Sequence, residues 1–283
     1  MRLRYTLAPP YFYARHFFRM FSGPSVPGAF RILIFHDVLE TQYDALKRLL
    51  DCLLEECGVI TPAQAEARLN GGNVLSDGGK IPCLLSFDDG FKSNALVASR
   101  VLHSYGIKAI FFVCPGIVDM EQTEQRQAIA RYIFDGKLQA QALPESMSLM
   151  SWRDIKALAD QGHTIGSHTL HHARLSELTQ AERLKEVVNS ADRLAEVLGV
   201  SARWIAYPFG DLGSIDANSM EIIRKKYEFC CSGLRGINVP NTSRWALLRQ
   251  PMDLDAPLLY QRLAASGGLD FLYGKPVRAL GSL

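Results

Sequence analysis

No run in the chain approaches the roughly 20 consecutive apolar residues that a membrane-crossing helix needs, so no transmembrane span is expected. The cysteines are few and poorly spaced for a framework. None of Cys52, Cys57, Cys83, Cys114, Cys230 and Cys231 forms a C-x-x-C pair, and most sit inside apolar runs. Free thiols in a reducing compartment are therefore expected rather than disulfides. Net charge is nearly absent, at +2 over 283 residues, and no basic stripe appears beyond the first thirty. Nucleic acid is not an expected partner. Internal repeats and low-complexity segments are missing as well. Acidic residues are wholly lacking before Asp37, where Arg2, Arg4, Arg15, Arg19 and Arg31 alternate with tyrosines and phenylalanines. That leader also lacks an apolar core followed by a small-residue cleavage site, so secretion is not expected and the cytoplasm is the expected compartment.

Residues 1–30 are expected to form a basic aromatic leader ahead of a single catalytic domain at 31–283. The leader shares the composition of an organellar transit peptide and otherwise fits two roles. It could lie on an anionic membrane surface, giving peripheral contact with the inner face, or pack its aromatics on the domain with its arginines exposed. From residue 31 onward, apolar runs at 32–35, 82–87, 109–113, 163–166, 204–207 and 229–232 alternate with helical periodicities at 43–56, 93–105, 152–161, 180–198 and 216–226. The runs are too uniformly apolar for strands with one wet face. The alternation predicts an α/β domain of βαβ units around a parallel sheet, open or closed into a barrel. The glycine-rich stretch 70–80 reads as a surface loop, and 120–147 as an insertion that shapes the site.

Chemistry gathers at the ends of the apolar runs. Asp88 and Asp89 follow the run ending at Phe87, with Gly90 permitting a sharp turn. Two adjacent carboxylates repel; a cation relieves one and leaves the other free as a base. A polar turn after a strand would look the same. His168 and His172 stand four apart, a spacing that on a helical turn points both imidazoles one way and His171 elsewhere. Together Asp89, His168 and His172 offer one oxygen and two nitrogens with positions left open, the composition of a catalytic metal site. Zinc suits it best, and cobalt, nickel or manganese are compatible. The segment Ala206-Tyr207-Pro208-Phe209-Gly210 predicts a tight turn whose backbone N–H groups face the site. All three segments lie at carboxyl ends of expected strands, where α/β folds place active sites.

Over roughly residues 31–250 the chain resembles the polysaccharide deacetylases that share the NodB homology domain. Ser86–Phe91 is similar to their (T/S)FDDG motif, His168–His172 to H-(S/T)-x-x-H, and Tyr207–Gly210 to the end of R-x-P-x-G. The resemblance implies a single-domain distorted (β/α) barrel and a divalent metal on Asp89, His168 and His172. It further implies Asp88 as general base and the backbone N–H of Tyr207 as an oxyanion donor. Two departures stand out. Ala206 occupies the place of the motif arginine, and no histidine follows His172 to supply the general acid. His36, at the end of the first apolar run, fills the second gap, as in the variant branch with an aromatic–histidine pair near the N-terminus; Asp37 would orient it. A buried structural histidine is the competing reading. Arg249 is the first candidate to replace the arginine and Arg235 the second. Phe87, Trp152, Pro208, Phe209 and Asn238 are expected to bind substrate, and His163 and His103 to be structural.

The resulting expectation is a hydrolase that removes an N-acyl group, most simply acetyl, from an amino sugar in a polysaccharide or lipid-linked glycan precursor. A deacylase of a non-sugar amide and a catalytically inactive carbohydrate-binding descendant are the alternatives.

Overall fold

Seven short strands, all parallel, form one sheet: β1 (Arg31–Phe35), β2 (Cys83–Phe87), β3 (Ile110–Val113), β4 (Thr164–Ser167), β5 (Trp204–Ala206), β6 (Phe229–Cys231) and β7 (Arg249–Pro251). The computed structural model describes residues 26–72 and 78–283. The leader's residues 1–25 and the centre of the 70–80 loop lie outside them. Strand order is β6-β5-β4-β3-β2-β1-β7, so the chain winds in one direction and then places its last strand beside its first. The remaining gap is nearly closed. The segment before β7 bonds to β6 through Leu247 N–H to Cys230 O (3.0 Å) and Ser232 N–H to Leu247 O (2.8 Å). The result is a distorted (β/α) barrel.

Alternation along each strand divides the apolar residues between two compartments. Ile32, Leu84, Ile110, Phe112, Trp204, Ala206, Phe229 and Cys231 fill the barrel interior. Leu33, Phe35, Leu85, Phe87, Phe111, Ile205 and Cys230 face the surrounding helices. Both faces are dry, which explains why the strands read as continuous apolar runs. The helix Pro62–Leu69 closes the bottom. Thr61 caps it, Ala65 and Leu69 join the interior cluster, and Glu66 accepts from Trp204 Nε1 (2.7 Å). This helix and β7 are absent from the sequence reading. The first is only eight residues long, and β7 begins Arg-Gln, without an apolar signal.

Two expected helices differ in detail. The periodicity at 93–105 breaks into an α-helix, Lys92–Arg100, and a tighter turn, Leu102–Tyr105, stopped by left-handed Gly106. The stretch at 180–198 contains a π-helical turn at Lys185–Asn189. The insertion at 120–147 is ordered around its own small core, which includes Ala128, Ile129, Ala130 and Leu143. Arg126 binds it together by donating to the carbonyls of Ala140, Leu143, Pro144 and Met147. All six cysteines are free thiols. Among the described residues no helix is long and apolar enough to cross a membrane.

Candidate metal centre and active site

At the carboxyl end of the barrel a cavity of about 180 Å³ is bounded by Asp88, Asp89, His168 and His172, with His36, Phe209 and Arg249 among the other walls. Asp88 continues β2 beyond Phe87, its N–H donating to Phe35 O (2.9 Å). The chain then turns through two left-handed residues, Asp89 (φ 71°) and Gly90 (φ 77°). At Gly90 a Cβ would fall 3.1 Å from Val113 Cγ1, so glycine answers both the turn and the close approach. This twist brings Asp89 Oδ1 to 3.4 Å from His168 Nε2 and 3.3 Å from His172 Nε2.

The two imidazoles do not share a helical turn, contrary to the expectation from their spacing. His168 directly follows β4, and a non-helical turn with Thr169 (φ 62°) and His172 (φ 61°) left-handed brings the second ring round. Tertiary bonds replace helix geometry. His168 Nδ1 donates to Ala206 O (2.6 Å) and His172 Nδ1 to Tyr132 O (2.9 Å). A carbonyl can only accept, so in each neutral ring the proton sits on Nδ1 and the Nε2 lone pair faces Asp89.

This donor set suits a divalent ion. Asp89, His168 and His172 each offer one ligand atom, and these atoms lie within 4.8 Å of one another, all buried. Asp89 Oδ1 has no hydrogen-bond partner among the described residues, because in the neutral rings the two Nε2 atoms it faces are acceptors as well. An orphaned buried carboxylate oxygen facing two imidazole lone pairs is costly without a cation between them.

Asp88 has a different partner. Arg249, in β7, donates from Nη1 to Asp88 Oδ1 (2.7 Å) and from Nη2 to Oδ2 (2.8 Å), while its Nε–H donates to Ser232 O (2.7 Å). Burial pushes the Asp88 pKa up, but the Arg249 charge, with His168 and His36, leaves it below the ordinary value. Burial also raises Asp89, and the positive charge of the flanking imidazoles, when they are protonated, outweighs it and lowers that carboxyl well below its usual range. Both acids are carboxylates at neutral pH.

A family model for polysaccharide deacetylases matches residues 76–226. The chain belongs to the polysaccharide deacetylase family. It is 28% identical over 58 residues to the peptidoglycan-N-acetylglucosamine deacetylase of Bacillus cereus, covering 20% of this chain and 21% of that one. It is 26% identical over 153 residues to YxkH of Bacillus subtilis, assigned to the polysaccharide deacetylases by name, covering 53% and 44%. The chain thus spans well under two thirds of either relative. In fold it is similar to the deacetylase PplD of Streptococcus pyogenes (TM-score 0.64, 19% identity, 86% of this chain and 99% of that one). It is equally similar to IcaB of Ammonifex degensii (TM-score 0.64, 24% identity, 87% and 98%). These likenesses support the deacetylase-type barrel.

Within that barrel Asp88, Asp89, His168, His172, His36, Tyr207, Phe209 and Arg249 meet at one cavity. His36 is exposed toward it, and Asp37 makes no hydrogen bond to the imidazole among the described residues. Other expectations are corrected. Phe87 points outward from the barrel, stacked between Phe35 (5.2 Å) and Phe111 (5.0 Å), because strand parity sends it into the helix layer. Asn238 holds Leu248 by two bonds of 2.9 Å and pairs with Phe30, at the opposite end of the barrel from His36. Trp152 donates to Asp119 (2.8 Å) beneath the Arg193 guanidinium and does not line the cavity. Pro208 is buried in its turn. Arg235 bonds Gln250 (3.0 Å) and Pro251 O (2.9 Å) rather than Asp88. His163 accepts from Ala109 N–H (3.2 Å), a structural role, and His103 is exposed on the turn after the helix Lys92–Arg100.

The oxyanion expectation also shifts. Tyr207 N–H is directed to Cys231 O (3.4 Å), continuing the ladder between β5 and β6. Phe209, left-handed at φ 64°, lines the cavity with its ring against His172 (4.9 Å), and its N–H has no acceptor among the described residues. Pro208 removes one N–H and Gly210 closes the turn. Those two residues are the signal from which Phe209 N–H could have been preferred. Tyr132 and Ile133, supplied by the insertion, had no sequence signal.

Proposed function

We propose that the chain is a metal-dependent hydrolase that removes an N-acetyl group from an amino sugar in a glycan. The observation that carries this reading is the orphaned, buried Asp89 Oδ1 between two imidazole lone pairs, beside an ionised Asp88 at the same cavity. Asp89, His168 and His172 would hold the ion, with zinc the best match to one oxygen and two nitrogen donors. When bound, it would acidify water and polarise the acyl carbonyl.

The chain's own groups supply the remaining steps. Asp88, kept ionised and oriented by Arg249, takes the proton as water oxygen attacks the acyl carbon. Phe209 N–H donates to the carbonyl oxygen as negative charge develops on it. His36 delivers a proton to the leaving nitrogen as the C–N bond breaks, giving acetate and a free amine. Support for His36 is its place on the cavity wall at the end of β1, beside Asp88 at the end of β2, which is already committed to water.

The substrate side is carried by the family alone. A lipid-linked precursor at the cytoplasmic membrane face fits the basic, aromatic residues 1–30; membrane association that added salt does not reduce would count against that placement.

Acetate release from N-acetylglucosamine oligomers, measured with zinc-loaded enzyme beside Asp88→Asn, tests the reading. Release by wild type, lost in Asp88→Asn with zinc still bound, is expected. Turnover only on non-sugar amides would replace the substrate class. Glycan binding without turnover would replace the enzyme with a binding module.

A further inference from the structure

The turn between the two histidine ligands is held by a residue that lies outside the cavity. Leu170 N–H donates to the backbone carbonyl of Glu186 (3.0 Å) and His171 N–H to Glu186 Oε2 (2.8 Å). His171 Nδ1–H donates to Glu186 Oε1 (2.7 Å). Glu186 is itself buried and His171 half-buried, so the bonds are largely shielded from water. It sits in the π-helical turn Lys185–Asn189, where the Ser190 N–H bonds Val187 O and leaves the Glu186 carbonyl for Leu170. A regular α-helix would direct that carbonyl along its own axis; π turns of this kind commonly mark functional positions.

What Glu186 grips is a strained piece of chain. Thr169 and His172, on either side of the gripped pair, are both left-handed, a conformation that β-branched and bulky residues adopt only under constraint. Ser190, one turn further along the same helical stretch, meets Ser167 Oγ, which accepts from Thr169 N–H (3.1 Å). The Leu170 carbonyl is held from the other side by Gly116 N–H (2.9 Å). At Gly116 a Cβ would fall 2.5 Å from His171 Nε2, so the loop packs against bare backbone. His171, expected to point away from the metal site, thus serves as the handle by which the turn is held.

We propose that Glu186 is a positioning residue for the metal site: its carbonyl and carboxylate fix residues 170–171 so that left-handed His172 presents Nε2 to the centre. This rests on the reading that Asp89, His168 and His172 hold a divalent ion.

The test is binding of Co²⁺ to the full chain, followed by its visible absorption and by competition with a colorimetric chelator. Wild type should bind, and Asp89→Ala should abolish binding. Folded Glu186→Ala should bind about 10- to 100-fold more weakly, with an altered absorption band, as loss of partners behind a ligand typically does. Glu186→Gln keeps a single acceptor and should fall between. Unchanged affinity and spectrum in folded Glu186→Ala, with wild type binding, would overturn the clamp alone. No binding by wild type would overturn the site reading and the clamp with it. Should Glu186→Ala fail to fold, His171→Ala decides, since it removes one bond and keeps both backbone ones. Several-fold weakening supports the proposal, and unchanged affinity overturns it.

Discussion

Arg249 and Asp88 stand 161 residues apart in sequence and meet through two hydrogen bonds, with Arg249 only 1% exposed. The planar fork matches both carboxylate oxygens, a geometry that fixes orientation as well as charge. Its origin is the strand order. β7 pairs with β1 (Ile32 opposite Arg249), and β1 pairs with β2, whose end carries Asp88. On the far side of the barrel Ala206 holds the motif-arginine position and leaves the interior apolar there. The charge that orients Asp88 therefore comes from the last strand instead of the fifth.

Replacing Arg249 by Met is expected to destabilise the protein by about 3–5 kcal/mol at pH 7, because an uncompensated carboxylate remains buried. The sign with pH follows from Asp88. Its folded pKa is lowered, so its contribution is present above the unfolded value of about 3.9 and is lost as pH falls through the folded value. Urea unfolding curves of wild type and Arg249→Met should therefore converge in acid. Arg249→Lys should recover only part of the loss.

Gly210→Ala should lower both stability and acetate release. The position is left-handed (φ 68°), and a Cβ would fall 2.4 Å from the backbone N of Gly233, which cannot yield without moving the turn that carries Phe209. A drop in kcat with zinc content retained is the expected result in steady-state assays of the folded fraction.

Phe87→Ala should behave as a core mutation. Removing a fully buried ring stacked on Phe35 and Phe111 is expected to lose about 3–5 kcal/mol, read by thermal or urea unfolding. KM of the folded fraction should stay unchanged, which a residue touching substrate would not allow.

His163 gives a second pH signature. Burial, with Lys108 nearby, lowers its pKa from 6.5 to about 4. Its neutral form is the one the fold accepts. Stability from this position is complete above 6.5, is lost progressively as pH falls toward 4, and changes no further below that. His163→Asn, which can still accept from Ala109 N–H, should flatten the stability profile between pH 6.5 and 4 relative to wild type.

The parallel strands were readable because both of their faces are dry, so Ile32, Leu84, Leu85, Phe111 and Phe112 appear as unbroken apolar runs. The metal-site residues were readable for a related reason. Asp88 and Asp89 end one such run and His168 ends another, and a parallel barrel brings all strand ends to one rim. By contrast β7 was not readable, since Arg249 and Gln250 are chosen for polar partners rather than for apolar burial. Phe87 lies away from the cavity because adjacency to Asp88 in sequence does not mean the same side of a strand.

Sequence by itself determined the alternation of elements, the chemistry of the donors and the end of the barrel they occupy, because those follow from local polarity and from the period of each element. Only the tertiary structure decided that Arg249 is the residue that pairs with Asp88, that a left-handed turn rather than a helix presents His172, and that Phe209 rather than Tyr207 has a backbone N–H free of the sheet among the described residues. Each of these depends on which distant strand or helix lies alongside, and contacts between residues 161 or 15 positions apart leave no periodic trace in the chain.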